Sequence, residues 1–367
     1  MTQNMNYTDT SDLNAIGSDI AKELNNGKIK LPVDQLLFRL TSDDRSLTAQ
    51  DLFAFSDLTR YDARLVQDHW TDIPVQRRQW VVSTLVESAD NELDYHLGRI
   101  LRIALRDDEP LVKEVAIQGL REELGSDLLA EYMRILRREM EPGVREAIAI
   151  SLGHYVLSGE LDELDASLAI QAEETLLSML HDEMEALAVR CRALESIAYS
   201  GETGIRELIE DGYYSPDEEM RVSSLVAMGR SADIRWRGLV RAELQNPSPL
   251  MRAQAARACG ELGTQIANQD LLFLLEDEAP VVRDAAIFAL GRIGGKDATE
   301  ALRIIAEEGD EAERQAADDA LEEMAFYADS EGAPFFDEAL DNEDEWDHEP
   351  WDEWLGSDEE DLGIYEE

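Results

Sequence analysis

Five histidines, two cysteines and a large surplus of carboxylates are the residues from which this chain could build a reactive centre. The histidines are His69, His96, His154, His181 and His348, and no two sit one helical turn apart, the spacing that lets two imidazoles share a metal ion. Cys191 and Cys259 are too few for a disulfide framework and do not have zinc-ligand spacing, so they read as two buried thiols. "GRIGGKDAT" (291–299) has the glycines of a phosphate loop, but no strand pattern precedes it and it reads as a turn. Acidic pairs occur everywhere in a chain with 81 Asp and Glu, and they single out nothing. With no nucleophile–base constellation in view, no catalytic, metal-binding or cofactor-binding residue is assigned and no cofactor is expected.

The other residues with chemical reach are aromatic. "DNEDEWDHEPWDEWLGSDEED" (341–361) sets Trp346, Trp351 and Trp354 among carboxylates, whereas a purely solvating tail carries few large apolar groups. Two readings stay open: the tryptophans fold back on the chain's own last repeat, helped by Phe335 and Phe336, or they form an acidic-aromatic segment that binds a partner. Pro350 would suit the start of a short helix with Trp351, Trp354 and Leu355 on one face.

The charge narrows the partners. Against 33 Lys and Arg the net charge is −48, and removing the 18 carboxylates of residues 328–367 still leaves −30. Such a field repels phosphates and anionic lipid surfaces, so neither nucleic acid nor a membrane is expected as a partner. No stretch approaches the roughly 18 consecutive apolar residues of a membrane helix. The opening "MTQNMNYTDTSDL" lacks the basic start and apolar run of a secretory signal, and the expectation is a soluble, cytoplasmic chain, taken as a monomer.

Stepping along the chain, one cation recurs with unusual regularity. Arg190, Arg221, Arg252, Arg283 and Arg314 are spaced by 31 residues each time, and the register continues upstream to Arg145, Lys113 and Arg78 with spacings of 45, 32 and 35. The cations lie in similar phrases: "DEAPVVRDAAIFALGRIGG" (277–295), "NPSPLMRAQAARACGELG" (246–263) and "SPDEEMRVSSLVAMGRSA" (215–232). Each begins with a turn and then runs as an amphipathic helix. Val282, Ala286 and Leu290, at four-residue steps, would point into a stack. A second amphipathic run precedes each, as in 128–139, 268–278 and 298–308, so the unit is a pair of helices. A pair of this size cannot bury its apolar faces alone and must stack on others like it. Small residues at Ala193, Ser224, Ala255, Ala286 and Ala317, with Gly229, Gly260 and Gly291, would let neighbouring helices come close. An insertion sits at 157–171.

This pattern resembles the HEAT-repeat family, in particular the short HEAT-like repeats of the phycobilisome-lyase type. The resemblance implies an all-α superhelical solenoid of about eight helix pairs over residues 58–327. Around it are expected a disordered start (1–10), a helical cap (11–57) with helices near 11–28, 31–40 and 48–58, and the acidic tail (328–367). The family tends to have an Asp-to-Arg ladder between neighbouring repeats. Six residues before the eight cations stand Asp72, Asp107, Glu139, Met184, Ser215, Asn246, Asp277 and Glu308, five of them carboxylates. The alternative is a stripe of arginines that binds anions, against which the planar guanidinium's fit to a fixed carboxylate favours the ladder.

In the resembled fold the second helices line the concave face. Nine residues after each ladder cation stand Glu87, Glu122, His154, Tyr199, Arg230, Glu261, Arg292 and Glu323. Mixed signs argue against a DNA channel and fit a protein-binding groove, with Tyr199, Arg230 and Arg292 as anchor types; a solvated row of charges is the plain alternative. Function is expected to be a non-enzymatic scaffold or adaptor using this face and the tail, with protein partners that include basic ones. Two further readings are an enzyme of the phycobilin lyase/isomerase or deoxyhypusine hydroxylase type, and a chaperone for a basic client. The hydroxylases hold two irons with repeated His-Glu pairs on their helices, and here the single such pair, His348-Glu349, lies in the tail.

Overall fold

The computed structural model describes residues 30–42, 46–91 and 95–329. The expected disordered start, the helix at 11–28 and the tail with Trp346, Trp351 and Trp354 lie outside the described residues. Within them all regular secondary structure is helical. Two short helices, α1 (Val33–Thr41) and α2 (Ala49–Leu52), come first, close to the segments expected from the sequence. Leu36, Leu40 and Leu52 are fully buried in the common core, and Arg77 of the next helices donates to the carbonyls of Arg39 (2.8 Å) and Leu40 (3.1 Å) at the end of α1.

Eight helix pairs follow. They are α3 (Arg60–His69) with α4 (Val75–Asn91), α5 (Gly98–Ala104) with α6 (Pro110–Gly119), and α7 (Ser126–Leu136) with α8 (Pro142–Glu160). Next come α9 (Ala166–His181) with α10 (Leu187–Ile197), α11 (Ile205–Tyr213) with α12 (Glu218–Arg230), and α13 (Arg237–Glu243) with α14 (Pro249–Glu261). The last two are α15 (Asn268–Leu274) with α16 (Pro280–Ile293), and α17 (Lys296–Glu308) with α18 (Glu311–Asp329). The insertion at 157–171 is absorbed by lengthening α8 to 19 residues and α9 to 16, which keeps both within the stack.

Proline opens α6, α8, α14 and α16, where the first turn has no use for its missing N–H. The even-numbered helices from α4 to α18 carry the ladder cations and pack directly on one another in sequence, and α5, α9, α11, α13, α15 and α17 each rest on the partner that follows. Val282, Ala286 and Leu290 of α16 are fully buried, as are Ala193, Ser224, Ala255 and Ala317 at the small-residue position. Each buried aliphatic chain contributes roughly 1.5–3 kcal/mol to holding the stack.

The close approach of second helices depends on their glycines. A Cβ on Gly260 would stand 2.8 Å from Cα of Ala289 on the next second helix, and one on Gly291 would stand 2.8 Å from Cβ of Ala320. "GRIGGKDAT" spans a turn: Gly294 and Gly295, with φ of 74° and 97°, join α16 to α17. Cys191 and Cys259 are buried free thiols whose pKa values burial pushes up to about 11 and about 12, so both stay protonated near neutrality.

Candidate functional site: the ladder edge and the inner row

The turns inside the helix pairs lie along one edge of the stack, and the ladder cations cross it. Arg78 donates from Nε to Asp107 Oδ2 at 2.7 Å and from Nη2 to Oδ1 at 3.1 Å, reaching the turn of the following pair. Asp107 also accepts from the Trp70 indole at 2.6 Å and from the Glu109 amide at 2.9 Å. Lys113 pairs with Glu139, and Arg252 with Asp277 through two bonds of 2.8 and 2.9 Å. The guanidinium holds the Asp277 carboxyl below the usual carboxylate range.

One turn residue therefore does two jobs. Its side chain stiffens its own turn by accepting the amide two residues on, as Asp277 does from Ala279 (2.9 Å), and it receives the preceding repeat's cation. Its own repeat's arginine in turn donates to its carbonyl: Arg283 Nη1 bonds Asp277 O at 3.0 Å, and Arg252 Nη1 bonds Asn246 O at 2.9 Å.

The expected register changes at several places. Arg145 pairs with Glu185, one residue beyond Met184. Arg283 pairs with Glu313 (2.7 Å) and not with Glu308, because α17 runs on through Glu308 and only two residues separate it from α18. That puts Glu308 on a helix, where the equivalent residue elsewhere is in the turn. Asp72, at the first pair, takes His69 at 2.9 Å.

At two junctions the charge is missing. Ser215 and Asn246 keep the turn, accepting from Asp217 (3.2 Å) and Ser248 (2.9 Å), but neither carries a carboxylate. Arg190 accordingly makes one bond, Nε to Leu180 O at 3.0 Å, and Arg221 bonds only the carbonyls of Ser215 (2.9 Å) and Pro216 (3.0 Å). Neither has an ion-pair partner among the described residues. Arg314, which no described helix pair follows, bonds Asp310 O at 3.3 Å.

The inner row runs along the far ends of the second helices. Arg230 lies over the Tyr199 ring, 5.3 Å from its centroid, and donates to Glu195 O at 2.9 Å. Arg292 pairs with Glu323 at 3.1 Å. Glu261 has Arg230 and Arg292 among its electrostatic neighbours, and His154 has Glu122 and Arg230. Burial and the charges of Arg121 and Arg230 lower the His154 pKa, which leaves the imidazole neutral near pH 7. The structure thus brings Tyr199 and Arg230 together, and it engages Arg292 with a carboxylate of the next repeat.

A residue that the sequence reading passed over sits beneath this row. Glu195 is 2% exposed, accepts from Ser223 Oγ at 2.6 Å and pairs with Arg192 at 2.8 Å, with Arg230 at 3.9 Å. Burial pushes its carboxyl above the ordinary value. Its signal in the sequence is a charge between Leu194 and Ile197 on the buried side of α10. Among the described residues no three His, Cys, Asp or Glu side chains converge on a metal-sized site, and no helix is long and apolar enough to cross a membrane.

Residues 238–322 match the family model of HEAT repeats. No curated protein matches the chain. Among solved structures it is similar to human deoxyhypusine hydroxylase, at 18% identity, covering 72% of this chain and 96% of that one with a TM-score of 0.33. It is similar to the complex of CpcE and CpcF of phycocyanin lyase from Nostoc, at 15% identity, covering 77% and 97% with a TM-score of 0.46. For importin beta the identity is 15%, the coverage 83% and 47%, and the TM-score 0.41. None of these likenesses carries an activity across. Residues 238–322 of the chain are therefore HEAT repeats.

Proposed function

We propose that the chain is a protein-binding scaffold whose inner row engages protein partners. The observation that supports this is the pattern of the row, in which Tyr199, Arg230, Glu261, Arg292 and Glu323 recur once per repeat, with Arg230 over Tyr199, Arg292 paired with Glu323, and Glu261 in the field of both arginines. A partner meeting side chains that are already ordered loses less entropy than one that must order them, and Tyr and Arg are the types that anchor interfaces. The alternating sign fits a partner with a charge pattern of its own.

The test is affinity purification from the native host with the full chain and with Tyr199→Ala/Arg230→Ala/Arg292→Ala, at matched folding. A partner recovered in stoichiometric amount with the parent chain, and reduced at least tenfold with the variant, is the expected result. Equal recovery with both proteins would refute the inner row as the binding face.

A further inference from the structure

The junction where the ladder lacks its carboxylate is also where the edge opens. Between the turn that joins α9 to α10 and the turn that joins α11 to α12 lies a groove of about 420 Å³. Leu180, Leu194 and Met220 are buried in its lining, and Leu187 and Leu208 extend the apolar surface. Arg190 and Ser215 both line it, at the repeat positions that cation and carboxylate hold at the complete junctions. Met184 and Tyr214, on the two bounding turns, are 92% and 71% exposed. Apolar surface and a guanidinium with no ion pair among the described residues meet in the groove, between turns that expose Met184 and Tyr214.

The lining also sets limits. Glu183, Asp211 and Asp217 are exposed around the groove, so it is no general anion site. What it accommodates is a flat apolar group with a single carboxylate beside it. An indole would lie on the leucines with its N–H toward a rim carboxylate, and the neighbouring acid would reach Arg190.

We propose that this groove docks the chain's own C-terminal segment, with Trp351 or Trp354 on the apolar lining and the adjacent Asp352 or Glu353 at Arg190. The sequence supplies the matching chemistry: Trp351-Asp352 and Glu353-Trp354 each set an indole beside an acid. A free acidic peptide would be repelled by a chain of this charge, and the tether overcomes that by holding the segment at high local concentration. Reach is sufficient. The groove lies three stacked pairs from α18, at about 10 Å each, and α18 runs about 28 Å away from the turn edge, so the path is about 40 Å. The 22 residues from Ser330 to Trp351 extend to about 75 Å. This docking stands independently of what binds the inner row.

The experiment is hydrogen exchange on the full chain, comparing the parent with Trp351→Ala/Trp354→Ala and with Arg190→Gln. The Trp variant leaves every described contact in place. Expected is an exchange about fivefold faster or more in both variants at residues 181–187 and 213–217, with the equivalent turns at 244–249 and 275–280 unchanged. Unchanged exchange in the Trp variant overturns the proposal. So does a change confined to residues 311–329, which would place the tryptophans on the last repeat. Protection that grows with protein concentration overturns it in favour of the tail of a second copy, and protection that appears only on adding a host extract overturns it in favour of an external partner.

Discussion

Ser215→Asp restores a carboxylate at the junction where Arg190 has none, and it tests whether the ladder works as a set of separable ties. The nearest complete pattern is Arg252 with Asp277, two bonds of 2.8 and 2.9 Å between side chains that are 17% and 10% exposed. Charge-assisted hydrogen bonds of this kind contribute about 1.5–3 kcal/mol. Asp211, Asp217 and Glu183 line the same groove and, screened by water, would repel the new charge by about 0.5 kcal/mol each. The net expected gain is about 1 kcal/mol. Because Ser215 already accepts the Asp217 amide, Asp keeps the turn and the substitution changes the charge alone. The assay is a double-mutant cycle with Arg190→Gln, read by urea unfolding and by hydrogen exchange of the α9–α12 amides, since repeat arrays need not unfold in one step. In the Arg190→Gln background the gain should vanish or become a loss. A coupling below about 0.3 kcal/mol, or equal effects in both backgrounds, would refute the ladder reasoning.

Three further outcomes follow from the same contacts. Asp107→Asn should cost about 3–5 kcal/mol in urea unfolding, because Arg78 is left with a buried, uncompensated charge; Glu313→Gln, at a pair whose side chains are 23% and 24% exposed, should cost about 1 kcal/mol or less. Equal costs would show that burial does not set the strength of these ties. Gly260→Ala should destabilise by about 1–3 kcal/mol, since its Cβ would press on the Ala289 backbone, and a thermal melt no lower than the parent's would contradict the packing. Glu195, whose pKa is raised by burial, contributes stability that is fully present below the ordinary value of 4.5 and is lost as pH rises through the raised one. Glu195→Gln should therefore flatten the stability curve over that window, and an unaltered slope would exclude the buried carboxyl as its source.

The fold was legible because its determinants are local and periodic. Arg283 and Gly291 recur at a spacing of 31 and each acts on a neighbour one repeat away, while Pro280 opens its own helix. The ladder was legible at Asp107, Glu139 and Asp277, where the side chain six residues before the cation lies in the turn. It was misjudged at Glu308, because turn length decides whether that position is in a turn or on a helix, and a change of two or three residues leaves little trace in the hydrophobic pattern. The inner row was legible as a list of positions but not as a set of contacts. That Arg230 covers Tyr199 depends on how far each helix is rotated in the stack, which the spacing does not fix. Glu195 escaped notice because burial, not type or spacing, makes it exceptional.

The break at Ser215 and the burial of Glu195 are two sides of one junction. Both Arg190 and Glu195 belong to α10, and both face the pair formed by α11 and α12. At the Arg78 and Arg252 junctions the charged tie sits on the turn edge. Here the edge has no carboxylate to offer, and the tie is made from inside, where Glu195 reaches Ser223 at 2.6 Å and anchors Arg230. A tie moved inward keeps the two repeats in register while leaving the edge free to part, which is how a groove forms without loss of the stack. The next junction, at Asn246, is tied differently: Arg221 has no carboxylate, and Tyr213 donates to Glu243 on the turn edge itself, beside Asn246. If the inward tie substitutes for the missing edge tie, Glu195→Gln and Ser215→Asp must compensate. The loss of protection across α10–α12 on Glu195→Gln should be at least halved in the Ser215→Asp background, and an equal loss in both backgrounds would show that the two ties are unrelated.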